Sequence, residues 1–143
     1  MADIFSPERR SALMSKVRHT GTSAELVVRL LLHRAGFRFR VNDSGLPGRP
    51  DVVVAKCKAA IFVHGCFWHG HSCNRGRRPA TNTLFWDAKL EANGRRDRRI
   101  RRQLHRKGWG VLVVWECEVR NTVKIERRLH DFLKTRFARL ESL

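Results

Sequence analysis

The densest group of chemically reactive side chains is the segment HGCFWHGHSC at residues 64–73. It is rich in histidine and cysteine and has no apolar periodicity, so burial of apolar side chains does not explain how it is ordered. Zinc binds four soft or borderline ligands in a tetrahedron, and Cys66, His71 and Cys73 supply three of them. The fourth is either Cys117, at the end of the apolar run WGVLVVWEC, or Cys57. The pattern predicts a structural zinc site, with unligated thiols as the alternative.

Two other histidines of this segment, together with an aspartate outside it, could carry out hydrolysis. His64 and His69 remain beside the predicted zinc ligands, and imidazole groups exchange protons near neutral pH. Asp51 follows PGRP and begins the apolar run VVV, where a carboxylate is costly unless it is hydrogen-bonded or binds a hard cation such as Mg²⁺. Mg²⁺ beside an imidazole base is typical of phosphodiester hydrolysis. The alternative for Asp51 is a simple loop cap.

Glu25 and the aromatic side chains each allow two interpretations. Glu25 completes a T-x-x-E capping box at a helix start, or it orients a histidine. Aromatic residues in basic loops stack on nucleic-acid bases, and a wedge of this kind favours sites already weakened by a mismatch. The alternative is burial against the cysteine-rich loop. The aromatic residues of this region are Phe67, Trp68, Phe85 and Trp86.

The charge of the chain favours nucleic acid as a partner. The 143 residues carry a formal net charge of +17, and the sequence pI is about 11.5. Such a surface attracts polyanions, and the predominance of arginine over lysine suits phosphates and base edges. Eight basic residues surround the single acid Asp97 between positions 95 and 107, which predicts phosphate contacts there. They are Arg95, Arg96, Arg98, Arg99, Arg101, Arg102, Arg106 and Lys107.

Membrane insertion and export are not expected from the sequence. No apolar run approaches the roughly 20 residues of a spanning helix, and the segment MADIFSPERR lacks the pattern of a signal peptide. We therefore expect a protein of the cytosol. In that reducing compartment the four cysteines do not form a disulfide framework.

Periodicity predicts a single mixed α/β domain with helices on both sides of a small sheet. Within the helix that begins near Thr83, Leu90, Ile100 and Leu104 form an apolar stripe that Asn93 and Asp97 interrupt. The predicted helices cover residues 6–18, 22–36, 83–108 and 124–140, and the predicted strands cover 37–41, 109–119 and two runs of a hairpin within 51–65.

Four segments together resemble the very short patch repair endonucleases of the Vsr type, nearly from end to end. They are RPD at 49–51, FVHGCFWHGHSC at 62–73, FWDAKLEANGRRDRR at 85–99 and GWGVLVVWECEV at 108–119. The resemblance implies a restriction-endonuclease-like fold of the PD-(D/E)XK type spanning residues 1–143, with a DNA-contacting helical region at residues 1–20. It also implies a strand-specific nick on the 5′ side of the T in a T:G mismatch, the product of 5-methylcytosine deamination.

The resemblance further implies a role for individual residues. Asp51 and the main-chain carbonyl of Val63 would bind Mg²⁺. His69, supported by Glu25, would activate water, and His64 would assist at the phosphate. The zinc ligands would be Cys66, His71, Cys73 and Cys117. The intercalating aromatics would be Phe67, Trp68 and Trp86, with Met14 pressing from the opposite groove and Lys89 and Asn93 reading the mismatch.

One position departs from the family pattern, because we expect threonine where this chain has Val63. A carbonyl ligand survives that change, whereas any role of the hydroxyl is lost.

The resemblance also implies the MutL mismatch-repair protein as a partner, and the asymmetry of a mismatch predicts a monomer. Two other functions stay open at this point. One is a zinc-stabilised basic module that binds nucleic acid without cutting it, and the other is a zinc-containing endonuclease with a different DNA target.

Overall fold

The short β-branched runs of the sequence form one mixed four-stranded sheet in the computed structural model, which describes residues 23–141. The strand order is β1-β2-β3-β4. β1 is antiparallel to β2, β2 is antiparallel to β3, and β3 is parallel to β4. The strands are β1 (Arg40–Val41), β2 (Val52–Val54), β3 (Ala59–His64) and β4 (Gly110–Trp115), and the helices are α1 (Ser23–Arg34), α2 (Thr83–Arg106) and α3 (Thr122–Glu141).

The helices cover both faces of the sheet, as the sequence predicts. Ile61 and Val114 lie in one apolar cluster with Leu32 of α1 and Leu129 of α3. The alternate residues of β3 and β4 point to the other face, where they pack against Ile100 and Leu104 of α2. Because β3 and β4 are parallel, α2 serves as the crossover helix between them, and their carboxyl ends lie together with His64 opposite Trp115. This edge of the sheet carries the candidate site.

The ends of several elements differ from the prediction. The predicted strand over 37–41 is confined to Arg40–Val41, and the predicted strand over 109–119 stops at Trp115. A 3-10 turn, Glu116–Arg120, begins there because the Glu118 carboxylate accepts a hydrogen bond from the Trp115 backbone N–H at 3.0 Å. Cys117 therefore lies in a turn beyond the strand and not on the strand itself. Thr83 is the first residue of α2 and not its cap.

Some predictions fall outside residues 23–141. The helix predicted over 6–18, the DNA-contacting region at residues 1–20 and Met14 all belong to the part of the chain that the structure does not describe. Within residues 23–141, each helix is either too short or too polar to cross a lipid bilayer.

Candidate active site and metal centre

A cluster of three cysteines and one histidine lies where β3 and β4 end. The donor atoms of Cys66, His71, Cys73 and Cys117 all lie within 4.8 Å of one another, and Cys117 Sγ is 3.6 Å from His71 Nδ1. A tetrahedral zinc ion with Zn–S near 2.3 Å and Zn–N near 2.0 Å separates its ligands by about 3.4–3.8 Å. The donor set and its spacing therefore fit zinc.

Local backbone contacts hold this cluster in place. The His71 backbone N–H donates to the Cys66 carbonyl at 2.9 Å, and the Cys66 N–H donates to the Glu116 carboxylate at 3.2 Å. A Cβ atom at Gly76 would overlap the His71 carbonyl, so only glycine fits the turn that follows Cys73. The four ligand positions are thus fixed by the ends of two strands and by one tight turn.

Burial disfavours charged thiolates in this cluster when no cation is present. It raises the pKa of the Cys66 thiol to about 12, and hydrogen bonds with the neighbouring sulfurs act in the same direction. Burial also raises the pKa of Cys117. A soft divalent cation would compensate the charge of deprotonated thiols, which is the state in which cysteine binds metal.

Cys57 is not part of the cluster. It is fully buried in the turn between β2 and β3, where its sulfur lies 3.7 Å from the Val54 carbonyl. Of the two alternatives for a fourth ligand, the structure brings Cys117 to the other three and leaves Cys57 in the apolar core.

Two acidic side chains meet on the other side of the β3 terminus. Asp51 Oδ2 accepts a hydrogen bond of 2.7 Å from the Val63 N–H, and Glu25 lies close enough to Asp51 to hydrogen-bond with it. Burial raises the pKa of Asp51 to about 7; the Val63 N–H opposes that shift, and the Glu25 carboxylate reinforces it. A pair of buried carboxylates is costly when both are charged, and a hard divalent cation removes that cost.

Glu25 lies 3% exposed near the start of α1. Its Oε2 atom is 3.3 Å from Arg29 Nη2, one helical turn further on. The side chain is therefore turned into the protein beside Asp51. The capping-box alternative pairs Glu25 with Thr22, which lies outside the described residues.

The two candidate histidines stack against each other. The ring centroids of His64 and His69 are 3.7 Å apart, and the rings are inclined by only 4°. Burial lowers the pKa of His64 to about 4, and repulsion from His69 adds to the shift. His64 is therefore neutral at physiological pH. In this neutral form it can donate one hydrogen bond without bringing charge into the site.

Asp97 is the carboxylate that holds His69, a role that no motif in the sequence predicts. His69 Nδ1 lies 2.6 Å from Asp97 Oδ2. Burial acts to raise the pKa of Asp97, but the hydrogen bond and the charge of His69 outweigh it and keep this pKa below its ordinary value. The expectation that Glu25 supports His69 stays a prediction, and the hydrogen bond to the His69 ring that the structure shows comes from Asp97. The signal for Asp97 was its interruption of the apolar stripe of α2.

The aromatic residues form a cluster next to the histidines. Phe67 makes edge contacts with Trp68 and Trp86, with ring centroids 5.0 and 5.2 Å apart, and Phe85 contacts Trp86 at 5.1 Å. Trp68 is 49% exposed and Phe85 is 60% exposed. Aromatic rings left half in water in a strongly basic protein are available for stacking on bases.

Lys89 and Asn93 of α2 contact Trp68, which belongs to the loop part of this aromatic cluster. Lys89 Nζ lies 5.7 Å from the centre of the Trp68 ring, and Asn93 Nδ2 donates to the Trp68 carbonyl at 2.9 Å. Asn93 and Asp97, the two polar residues that interrupt the apolar stripe, therefore both point to the site.

A single cleft of about 540 Å³ collects these groups. Its walls include both carboxylates of the acidic pair, both stacked histidines, Asp97, Trp68 and Asn93. Glu116 also lines the cleft, although no motif in the sequence points to it. A carboxylate pair, a histidine held by a third carboxylate and exposed aromatic rings can together hold a cation, move a proton and contact nucleic-acid bases.

Comparison with known proteins decides the family. A model of the family described as DNA mismatch endonuclease Vsr matches residues 2–75. Over 133 residues the chain is 47% identical to the type II nicking enzyme V.XorIIP of Xanthomonas oryzae pv. oryzae, covering 93% of this chain and 98% of that protein. The chain belongs to the Vsr family of DNA mismatch endonucleases.

Other relatives agree with this membership. Over 125 residues the chain is 45% identical to the DNA mismatch endonuclease Vsr of Escherichia coli, covering 87% of this chain and 80% of that protein. Over 134 residues it is 43% identical to the type II nicking enzyme V.NmeAIP of Neisseria meningitidis, covering 94% of this chain and 96% of that protein. The Vsr family is restriction-endonuclease-like, and its members are hydrolases that act on DNA, which confirms the fold class and the endonuclease prediction at that level.

Proposed function

We propose that this protein nicks DNA on the 5′ side of the T in a T:G mismatch left by deamination of 5-methylcytosine, in a reaction that depends on Mg²⁺. The observation that carries the proposal is the meeting, in one cleft, of the Asp51–Glu25 pair with the His69–Asp97 pair. Relatives named as nicking enzymes support cleavage of one strand. The half-exposed aromatic cluster beside the cleft supports a distorted base pair as the target.

Asp51 and the Val63 carbonyl are the proposed Mg²⁺ ligands, and the raised pKa of Asp51 supports a cation there. When bound, Mg²⁺ withdraws charge from the phosphate and stabilises the leaving oxygen. Asp97 holds the Nδ1 side of the His69 ring, which leaves Nε2 to accept a proton from the attacking water. His64, neutral and stacked on His69, donates a hydrogen bond to the phosphate. The Val63 ligand is a main-chain carbonyl, so it does not require the hydroxyl of the threonine expected at this position.

Zinc is the proposed structural cation of the Cys66, His71, Cys73 and Cys117 cluster. Its position supports this role, because the loop it would hold carries His69 on one side and the aromatic residues Phe67 and Trp68 on the other. An irregular loop that buries little apolar surface depends on such a crosslink for its shape.

Recognition of the mismatch is assigned to the aromatic cluster with Lys89 and Asn93, and Met14 is assigned the opposite groove. The contacts of Lys89 and Asn93 with Trp68 support a shared recognition surface. We further propose that the protein acts as a monomer on nucleoid DNA in the bacterial cytosol, because a mismatch lacks the two-fold symmetry that favours dimers. The family resemblance supports MutL as a partner.

A competition experiment tests this function against the alternatives. The protein is incubated with Mg²⁺ and a labelled T:G duplex, with unlabelled T:G, T:A or C:G duplex as competitor. The proposal expects nicking that T:G competitor suppresses far better than matched duplexes, and that EDTA abolishes. Equal competition by all three duplexes would favour an endonuclease with another target. Mismatch binding without any nick would favour the non-catalytic module.

A further inference from the structure

Two arginines line the active-site cleft and have no part in the mechanism proposed above. Arg49 lies in the loop that leads to Asp51, and Arg96 lies on α2 one residue before Asp97. The same cleft has a strongly acidic lining, which would repel a phosphodiester unless cations compensate it. Its carboxylates belong to Glu25, Asp51, Asp97 and Glu116.

The backbone at Arg49 is better suited to glycine than to arginine. Its φ angle is +50°, in the left-handed region that side chains with a Cβ atom enter at a cost in free energy. The loop is nevertheless fixed, since the Arg49 N–H donates to the Leu46 carbonyl at 3.1 Å and the next residue, Pro50, is buried. The strained backbone therefore points to a function for the Arg49 side chain.

The Arg49 guanidinium is available to a ligand. Its side chain is exposed, and the hydrogen bond described for it runs from Nε to the Asn42 carbonyl at 3.4 Å. That long contact does not use the two terminal nitrogens, which form the fork that matches a phosphate.

Arg96 lies next to the same loop. Gly48 packs against Ile100 of α2 so closely that a Cβ atom there would meet the Ile100 side chain. Arg96 precedes Ile100 by one helical turn, and residues four apart lie on the same face of a helix. The loop and the helix therefore place Arg49 and Arg96 on the wall of the same cleft.

We propose that Arg49 and Arg96 together grip the phosphodiester backbone of the DNA strand that enters the cleft, and so hold that strand at Asp51 and His69. This inference rests on the proposed function for the identity of the substrate. It assigns the two residues to substrate binding, so their loss weakens DNA binding and slows nicking at limiting DNA.

The decisive variant is Arg49→Gly, because glycine relieves the backbone strain while it removes the cation. Binding of a T:G duplex is measured by fluorescence anisotropy without divalent cation at several salt concentrations, beside nicking rates and Tm. We expect affinity to fall by about 10-fold or more and the slope of log K against log salt to shrink by about 0.9, as for one lost phosphate contact. The Tm should stay the same or rise. Arg96→Ala should change affinity and salt slope in the same way.

Two matched variants control for the substitutions themselves. Asn42→Gly relieves a φ of +49° in the same loop without removing a cation, and Arg127→Ala removes an exposed arginine from α3. Both should bind and nick like the parent protein. The proposal would be overturned if Arg49→Gly and Arg96→Ala kept the affinity and the salt slope of the parent protein. It would also be overturned if both variants lost affinity together with a lower Tm, because the loss would then reflect unfolding. If the parent protein fails to nick T:G duplexes, the proposed function fails, while the binding data still test the two arginines.

Discussion

His69 Nδ1 lies 2.6 Å from Asp97 Oδ2, although the two residues are 28 positions apart in the chain. One residue belongs to the loop after β3 and the other to the middle of α2, so the contact exists only when the loop is seated against the helix. A carboxylate on Nδ1 fixes the orientation and tautomer of the ring and leaves Nε2 as the proton acceptor. The Asp97 contact thus connects the fold to the proposed chemistry.

Asp97→Asn should slow nicking by about 10²- to 10⁴-fold, because the amide no longer favours the reactive form of His69. Affinity for a T:G duplex should change little, since Asp97 is not assigned a DNA contact. Single-turnover nicking rates and binding isotherms check both statements. Asp87→Asn is the matched control on the same helix, where Asp87 pairs with Arg78 at the surface. Equal rates for the two variants would remove Asp97 from the mechanism.

In the Mg²⁺-free protein, the contribution of Asp51 to stability should fall as the pH rises from about 4 to about 7, whereas His64, whose pKa is lowered to about 4, makes an opposite contribution over the same range. Asp51 has a folded-state pKa of about 7 against an ordinary value of 3.8, so the folded state holds this proton more tightly than the unfolded state does. The stabilisation that Asp51 contributes is complete below its ordinary pKa, and it is lost once the pH passes its folded-state pKa. Thermal melts of the protein and of Asp51→Asn, with and without Mg²⁺, measure the effect. The Asn variant should lose this pH dependence and its response to Mg²⁺, whereas identical profiles would contradict a cation at Asp51.

Cys117→Ala should lose the zinc ion and lower the Tm by about 10 °C or more, because metal binding contributes directly to folding. Cys57→Ala also removes a thiol but should retain one zinc per chain, since Cys57 lies in the apolar core. Metal analysis after gel filtration and thermal melts distinguish the two variants. Retention of zinc by Cys117→Ala would show that the cluster is not the binding site.

Trp68→Ala should reduce the preference for T:G over matched duplex by about 10- to 100-fold, the loss expected when one stacking aromatic is removed. Trp68 is half exposed and contacts Phe67 and Lys89, so little core packing is lost. Val123→Ala, at an exposed apolar position on α3, serves as the control. The check is a comparison of affinities for T:G and T:A duplexes; an unchanged ratio for Trp68→Ala would argue against a wedge.

The sequence predicted the elements well where local pattern determines them. The strongly periodic segments around Leu32 and Leu129 became helices, and the β-branched runs around Val53 and Val113 became strands. The members of the Cys/His cluster could also be predicted, because cysteine and histidine rarely crowd together for packing reasons. Strand ends were less accurate, since the break after Trp115 depends on a hydrogen bond to Glu118 that no hydropathy pattern reveals.

The partners within the site could not be predicted from spacing alone. The hydrogen bond between His69 and Asp97 depends on how a loop without periodicity seats on α2. Likewise, the choice of Cys117 over Cys57 depends on the parallel pairing of β3 with β4, which brings the ends of these strands together. Such contacts follow from tertiary packing. The sequence indicates them only where a polar residue interrupts an apolar stripe, as Asn93 and Asp97 do.

The most direct test of the central claim is to map the cleavage site on a duplex that carries one T:G pair within randomised flanking sequence, with each strand labelled separately. In the presence of Mg²⁺ we predict a single nick in the T-containing strand, immediately 5′ to the mismatched T, and an intact G-containing strand. Cleavage of both strands, or nicks at matched sites at a similar rate, would contradict the proposed function.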